Sequence, residues 1–317
     1  MNAKTPTTPW RGIHLLPHND QDLLALAGEL PTLAQLGVNL IIPEVNYNYA
    51  YTSHPEVRAN NPISKGQAQA FSQACRAQGM RVIPQFQCLG HQSWAEQTFP
   101  LLLQYPEFDE TPGQYANNAG IYCRSWCPQH EGVNAIVFDL FDELLEAFSA
   151  DALHVGMDEV FLIASEHCPR CKGGDPAQLF AKAINEYHAH LVGKRGVEML
   201  MWGDRLISDE ATGYGEWEAS RNHTEPAIDL IPNDIIICDW HYEICAEYRS
   251  IPIFLEKGFR VLPGGWRNVT AVEALIGYAR QHQAERLMGY LCTTWGAVQP
   301  GQIAAWPPVL TAMQQMR

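Results

Sequence analysis

The chain has no apolar run near the ~18 residues needed to span a bilayer, although 46% of its 317 residues are hydrophobic. A soluble globular protein with a large core is the expectation, and a membrane is not an expected partner. No Lys/Arg cluster occurs, and 21 basic residues against 35 acidic ones leave a formal net charge of −14. Such a surface repels a phosphate backbone, so nucleic acid is not an expected partner either. Fixed-length repeats, low-complexity tracts and heptads are also missing, which excludes solenoids and coiled coils. The opening Met1-Asn-Ala-Lys-Thr-Pro-Thr-Thr-Pro9 has no apolar segment after its lysine. No leader peptide is therefore expected, and the reading is cytoplasmic.

Nine cysteines cannot all pair with one another. Cys75, Cys88, Cys238 and Cys292 lie inside apolar patterns and read as buried free thiols of a reducing compartment. Cys123-x3-Cys127 and Cys168-x2-Cys171 lie in loops at metal-ligand spacing. These four are candidate ligands of a zinc site joining the two loops, or else thiols of tight turns.

Short apolar or β-branched runs alternate with longer amphipathic stretches, as repeated strand-helix units of a parallel sheet require. Strands are expected at Gly12–Leu16, Val38–Pro43, Arg81–Gln87, Ala152–Val160, Glu198–Gly203, Ile235–Cys238, Phe259–Leu262 and Leu287–Cys292. Helices are expected at about Asp20–Leu36, with Asn19 or Asp20 as cap and Gly37 as stop, and from Ser64 to Gly79. Further helices are expected at about Val133–Ser149, Pro176–Lys194, Ala246–Lys257 and Val269–His282. Eight such units without a break in composition predict an α/β fold, one closed (β/α)8 TIM barrel over residues 1–317. Long loops follow the third and fifth strands, and loops of that length are usually functional.

In such a barrel the strand ends converge at one mouth. They would supply His14, Glu44, Gln85 or Gln87 with nearby His91, Asp158-Glu159, Trp202 and Asp204, Trp240, Tyr242, Trp266 and Trp295. An acidic, aromatic mouth suits a sugar ring, whose C–H faces stack on indoles while its hydroxyls bond to polar groups. On its own, Asp158-Glu159 reads better as a strand running into a solvated acidic turn than as a catalytic pair. If the strand continues through it, His154, Gly156 and Asp158 share one face. Adjacent residues at a strand end are expected to splay, which does not suit the two facing carboxylates of ordinary glycoside hydrolysis. Glu159 as general acid, with Asp158 orienting the substrate's own 2-acetamido group, fits better.

The run His154-x-Gly-x-Asp158-Glu159-Val160 resembles the signature of glycoside hydrolase family 20, the β-N-acetylhexosaminidases. Val82-Ile-Pro84 with Leu89-Gly-His91, and Trp202-x-Asp204 with Trp295, are similar to other segments of that family. The likeness is nearest to its hexosaminidase D type, enzymes with little beyond the barrel. The resemblance implies an exo-acting, retaining enzyme that removes terminal N-acetylglucosamine or N-acetylgalactosamine without a cofactor. By the same resemblance Glu159 is the general acid/base and Asp158 orients the acetamide. It also implies His154 as support, His91 near the substrate, and Trp202, Trp240 and Trp295 as walls.

Three positions depart from the larger members. Leu16-Pro17-His18 stands where they have an arginine, Gly264-Gly265-Trp266 where they have a tyrosine, and Ala297 where they have an acid. Tyr242 or Glu44 would take over lost contacts. The alternative reading is a catalytically silent barrel that binds amino sugars or glycan ends.

Overall fold

A computed structural model describes residues 8–282 and 284–317. Its principal strands are β1 (Trp10–Leu15), β2 (Leu40–Pro43), β3 in two pieces (Arg81–Val82 and Gln85–Cys88) and β4 (Ala152–Gly156). They continue as β5 (Glu198–Trp202), β6 (Ile236–Trp240), β7 (Arg260–Gly265) and β8 (Gly289–Thr293). Each pairs in parallel with its neighbour in the chain, and β8 pairs with β1. The sheet begins at Arg81–Val82 and ends at Gln85–Cys88, so its two edges are halves of one strand. The sheet is therefore a closed (β/α)8 barrel.

The break in β3 falls at Pro84, which has no N–H to give to a ladder. Its carbonyl still accepts the His154 N–H at 3.0 Å, and this bond carries the pairing across the gap.

The helix Asp20–Leu36 begins where the Asn19 side chain accepts the Gln21 and Asp22 N–H groups, and ends at Gly37 in the left-handed region. Ser64 caps Lys65–Ala77 in the same way. Helices Glu131–Phe148 and Val269–Gln281 match the periodicity, and Pro176–His188 continues as π-helical turns through Lys194. One expectation fails: the helix expected from Ala246 starts only at Ser250. The long loop expected after β5 carries the one-turn helices Asp209–Thr212 and Gly215–Glu218, separated by Gly213 at φ +76°.

Two apolar layers result from the period-2 alternation of the strands. Leu40 and Ile42, Leu200 and Trp202, and Ile236, Cys238 and Trp240 fill the barrel interior with Leu262 and Leu291. The opposite faces pack on the helices through Ile41, Leu153, Val155, Met199, Met201, Ile237 and Val261. Among the described residues no helix is long and apolar enough to cross a membrane. The loops 89–130, 157–175 and 203–235 gather at the mouth beyond the strand ends.

Candidate active site

The mouth is organised by the turn that ends β4. That strand stops at Gly156, not at Val160, because Gly156, Met157 and Glu159 adopt φ values of +68°, +78° and +50°. The cause is a close approach of β3: a Cβ on Gly156 would lie 2.0 Å from Gln87 Oε1 and 2.9 Å from Gln87 Cα. Past Gly156 the strand alternation no longer decides where side chains point. Left-handed non-glycine residues cost about 1–3 kcal/mol each, and such strain gathers at functional sites.

The expected splaying of Asp158 and Glu159 is corrected by this turn. Both carboxylates converge on one imidazole, with Glu159 Oε2 at 3.0 Å and Asp158 Oδ2 at 3.4 Å from His91 Nε2. Ligand-type atoms of the three side chains lie within 4.8 Å of one another. His91 reaches this position through its own left-handed backbone, φ +53°. Burial opposes the imidazolium, but the charge of Asp158 and the close approach of both carboxylates outweigh it and raise its pKa well above 6.5. Burial likewise raises Asp158, yet His91 and the Gln87 amide leave it below its ordinary value. Asp158 is therefore an ionised carboxylate in a mostly buried setting.

A polar chain links the ends of the first four strands. Gln87 Nε2 donates to Asp158 Oδ1. Gln85 Nε2 donates to Gln87 Oε1 at 3.3 Å and to Glu44 Oε2 at 2.8 Å. His14 Nε2 lies 2.9 Å from the same Glu44 oxygen, and Asn46 Nδ2 donates to Glu44 Oε1 at 2.8 Å. Glu44 thus has both oxygens engaged within the protein. His154 accepts the Gly156 N–H on Nδ1 at 3.0 Å, a supporting role at the turn.

Asp204 was expected to touch substrate, and the structure places it behind Glu159 instead. Its Oδ2 accepts the Glu159 backbone N–H at 2.8 Å and Arg205 Nε at 2.7 Å, while Oδ1 accepts Trp240 Nε1 at 3.2 Å. Burial lifts its pKa to about 6 against the pull of Arg205. Trp202 is fully buried, packing on His154, His14 and Trp295 at centroid distances of 4.6, 5.6 and 5.7 Å. It forms the floor of the site rather than a wall.

Above the floor, Trp240 stacks on Tyr242 at 4.8 Å, and the Trp295 indole donates to the Tyr242 hydroxyl at 2.5 Å. Trp266 stands 5.4 Å from Tyr242 and donates to the Thr294 carbonyl at 3.0 Å.

Residues not singled out in the sequence line the opposite rim. Tyr122, on the loop after β3, packs edge-on to His91 at 5.7 Å. Burial, then the Glu159 charge beside it, raise its phenol well above the ordinary value. Trp94 stacks near His91, and Trp217 contacts Tyr122 and Phe161. Trp94 and Trp217 are 56% and 45% exposed. Large aromatics on the long loops of a barrel were the available signal.

The cysteines also need correction. Cys127, Cys168 and Cys171 converge, but Cys123 Sγ faces the Glu159 carbonyl at 3.7 Å, and Glu110 takes the fourth position beside the other three. Spacing alone does not single out Glu110, because a carboxylate in a loop gives no pattern. Cys75, Cys88, Cys238 and Cys292 are buried and free, as expected.

The site is thus a closed (β/α)8 barrel with paired carboxylates after its fourth strand and an indole-lined mouth. The model of glycosyl hydrolase family 20, catalytic domain, matches residues 34–262, and the chain belongs to that family. A β-hexosaminidase of Akkermansia muciniphila is 30% identical over 98 residues, 31% of this chain and 19% of that protein. The Flavobacterium johnsoniae chitobiase superposes with a TM-score of 0.73 at 17% identity, covering 98% of this chain and 48% of its own. The exo β-N-acetylglucosaminidase of Vibrio harveyi, solved with N-acetylglucosamine, gives 0.67 at 15% identity over 98% of this chain and 54% of its own. At such identities these structures speak to the fold. The chain spans about half the length of these two proteins.

Proposed function

We propose that the chain is an exo-acting, retaining β-N-acetylhexosaminidase that removes terminal N-acetylglucosamine or N-acetylgalactosamine with the substrate's acetamido group as nucleophile. The observation that carries this reading is the arrangement of Asp158 and Glu159 around His91 beneath an indole-lined mouth. In a two-carboxylate mechanism the acids face each other across the anomeric carbon. Here they are neighbours on one turn, with an imidazole between their apposed oxygens. Their environments also differ, since Asp158 is held ionised by His91 and Gln87 while Glu159 stands next to the Tyr122 phenol. This supports unequal roles.

In the proposed reaction the acetamide oxygen attacks the anomeric carbon as the bond to the glycosidic oxygen breaks. Glu159 delivers its proton to that oxygen. Asp158 accepts the acetamide N–H and balances the charge of the cyclic oxazolinium ion. Glu159, now ionised, takes a proton from the water that opens the ring, so configuration is retained. The hydroxyl of Tyr242 accepts from Trp295 and keeps its own proton to donate to the acetamide carbonyl, replacing the tyrosine missing at Gly264-Gly265.

The family and the activities of the Akkermansia and Vibrio proteins support the same substrate class. Aryl N-acetyl-β-glucosaminide and N-acetyl-β-galactosaminide test it. Wild type is expected to release the phenol, and Glu159→Gln to lose roughly 10²–10⁴ of that rate. Asp158→Ala is expected to lose a comparable factor on these acetamido substrates. No release above the Glu159→Gln background by wild type would leave the silent sugar-binding barrel as the better reading, and full activity of Asp158→Ala would exclude acetamide participation.

A further inference from the structure

Away from the sugar site, four side chains suited to holding a metal meet between two loops. We propose that Glu110, Cys127, Cys168 and Cys171 bind one zinc ion that clamps the loop after β3 to the loop after β4.

The convergence begins with backbone geometry. The Glu110 N–H donates to the Ser125 carbonyl at 3.0 Å and the Cys127 N–H to the Phe108 carbonyl at 2.6 Å. This short ladder sets Glu110 beside Cys127. On the other loop, Cys168-Pro-Arg-Cys171 folds into a tight turn in which the Cys171 N–H points at Cys168 Sγ from 3.4 Å. The Lys172 and Gly174 N–H groups return to the carbonyls of Cys168 and Cys171. A turn with an N–H aimed at its first sulfur is already arranged to stabilise a thiolate.

The sulfur atoms stand close together. Cys127 Sγ is 3.3 Å from Cys171 Sγ and 3.4 Å from Cys168 Sγ, and all four ligand atoms lie within 4.8 Å of one another. Tetrahedral zinc with bonds of about 2.3 Å to sulfur separates its sulfur ligands by roughly 3.8 Å, so small outward shifts would complete the shell. A disulfide needs about 2.05 Å and uses two sulfurs, leaving the third thiol and the carboxylate unexplained.

Glu110 supplies the independent observation. It is fully buried, and its Oε1 accepts the Ser165 N–H at 2.9 Å, yet its buried Oε2 has no hydrogen-bond partner. It forms no ion pair among the described residues. A buried carboxylate oxygen without a donor, beside three thiols, is completed by a cation. Three soft ligands with one carboxylate favour zinc over the oxygen-seeking calcium and magnesium. A site closed by four protein ligands has no open position for substrate, so its role is structural.

The position explains what the ion would hold. Tyr122 and Cys123, which touch the Glu159 region, lie on the segment between Glu110 and Cys127. The segment from Glu159 to Cys168 is the other wall.

The test is metal content, which does not depend on the activity proposed above. Protein expressed with zinc and dialysed against metal-free buffer is analysed by plasma mass spectrometry. One zinc per chain is expected, with affinity lowered roughly 10–100-fold or more in Glu110→Gln and Cys171→Ser, and retained in Cys123→Ser. Should the variants not fold, wild-type protein refilled with cobalt must show thiolate-to-cobalt charge-transfer absorption in the near ultraviolet. Absence of both zinc and that absorption overturns the proposal. So does a disulfide between any two of the three cysteines in the intact mass under non-reducing conditions, or equal zinc loss in Cys123→Ser and Cys171→Ser.

Discussion

At the scale of single residues, Asp204 and His91 act on the carboxylate pair in opposite ways. Asp204 fixes the backbone of Glu159 from behind, and it does so best as an anion accepting three hydrogen bonds. As pH falls through about 6 it takes up a proton and one acceptor site is lost. Asp204→Asn is expected to lower kcat by roughly 10–100-fold with a smaller change in KM, since misplacement of a catalytic group by about 1 Å costs on that order. It should also flatten the acid limb of the kcat profile near pH 6, and a limb left unchanged would assign that titration to another group.

His91 governs stability on the alkaline side. Its folded pKa is raised above the unfolded 6.5, so its contribution is complete below about pH 6.5 and is lost as pH rises through the folded value. Asp158 is lowered below 3.8, so its contribution is present above that value and is lost as pH falls through its folded pKa. Denaturant unfolding of wild type and His91→Asn should therefore differ most near pH 6 and converge at alkaline pH. A gap that stays constant into the alkaline range would contradict the ion pair.

At the scale of elements, the turn after β4 is where chain geometry and chemistry meet. Gly156 is required twice, by its φ of +68° and by the Gln87 side chain lying where a Cβ would go. Gly156→Ala is expected to destabilise the fold by about 1–3 kcal/mol. Displacing Gln87 removes a donor from Asp158, so activity per folded molecule should fall as well. Thermal melting and kinetics on the same preparation separate the two effects. The pattern His154-x-Gly-x-Asp158-Glu159 was legible as a site, whereas the direction of its side chains was not. Alternation is a property of extended backbone, and this backbone leaves the extended region at the glycine.

At the scale of the whole molecule, the barrel is closed by one interrupted strand and by the seam between β8 and β1. At the start of β8, Gly289 has φ +140°, and a Cβ there would lie 1.9 Å from the Trp10 carbonyl oxygen. This is the end of the barrel remote from the mouth, where sequence constraint reflects stability. Gly289→Ala should lower Tm clearly while leaving kcat per folded molecule close to wild type. A variant stable but inactive would mean that the seam communicates with the mouth. Between Gly289 and Gly156, one fold thus separates what holds the barrel from what shapes its site.

The amino-acid sequence by itself determined the eight-fold alternation, the helix limits at Asn19, Gly37 and Ser64, and the carboxylate pair at a strand end. Each is a local matter of period, capping or backbone preference, and local rules act along the chain. Tertiary structure decided that Asp158 and Glu159 share His91, that Asp204 stands behind Glu159, and that Trp202 is floor. It also decided that Tyr122 joins the site and that Glu110 replaces Cys123 among the thiols. These contacts join residues tens of positions apart through loops without a period, so only the packing of the closed barrel brings them together.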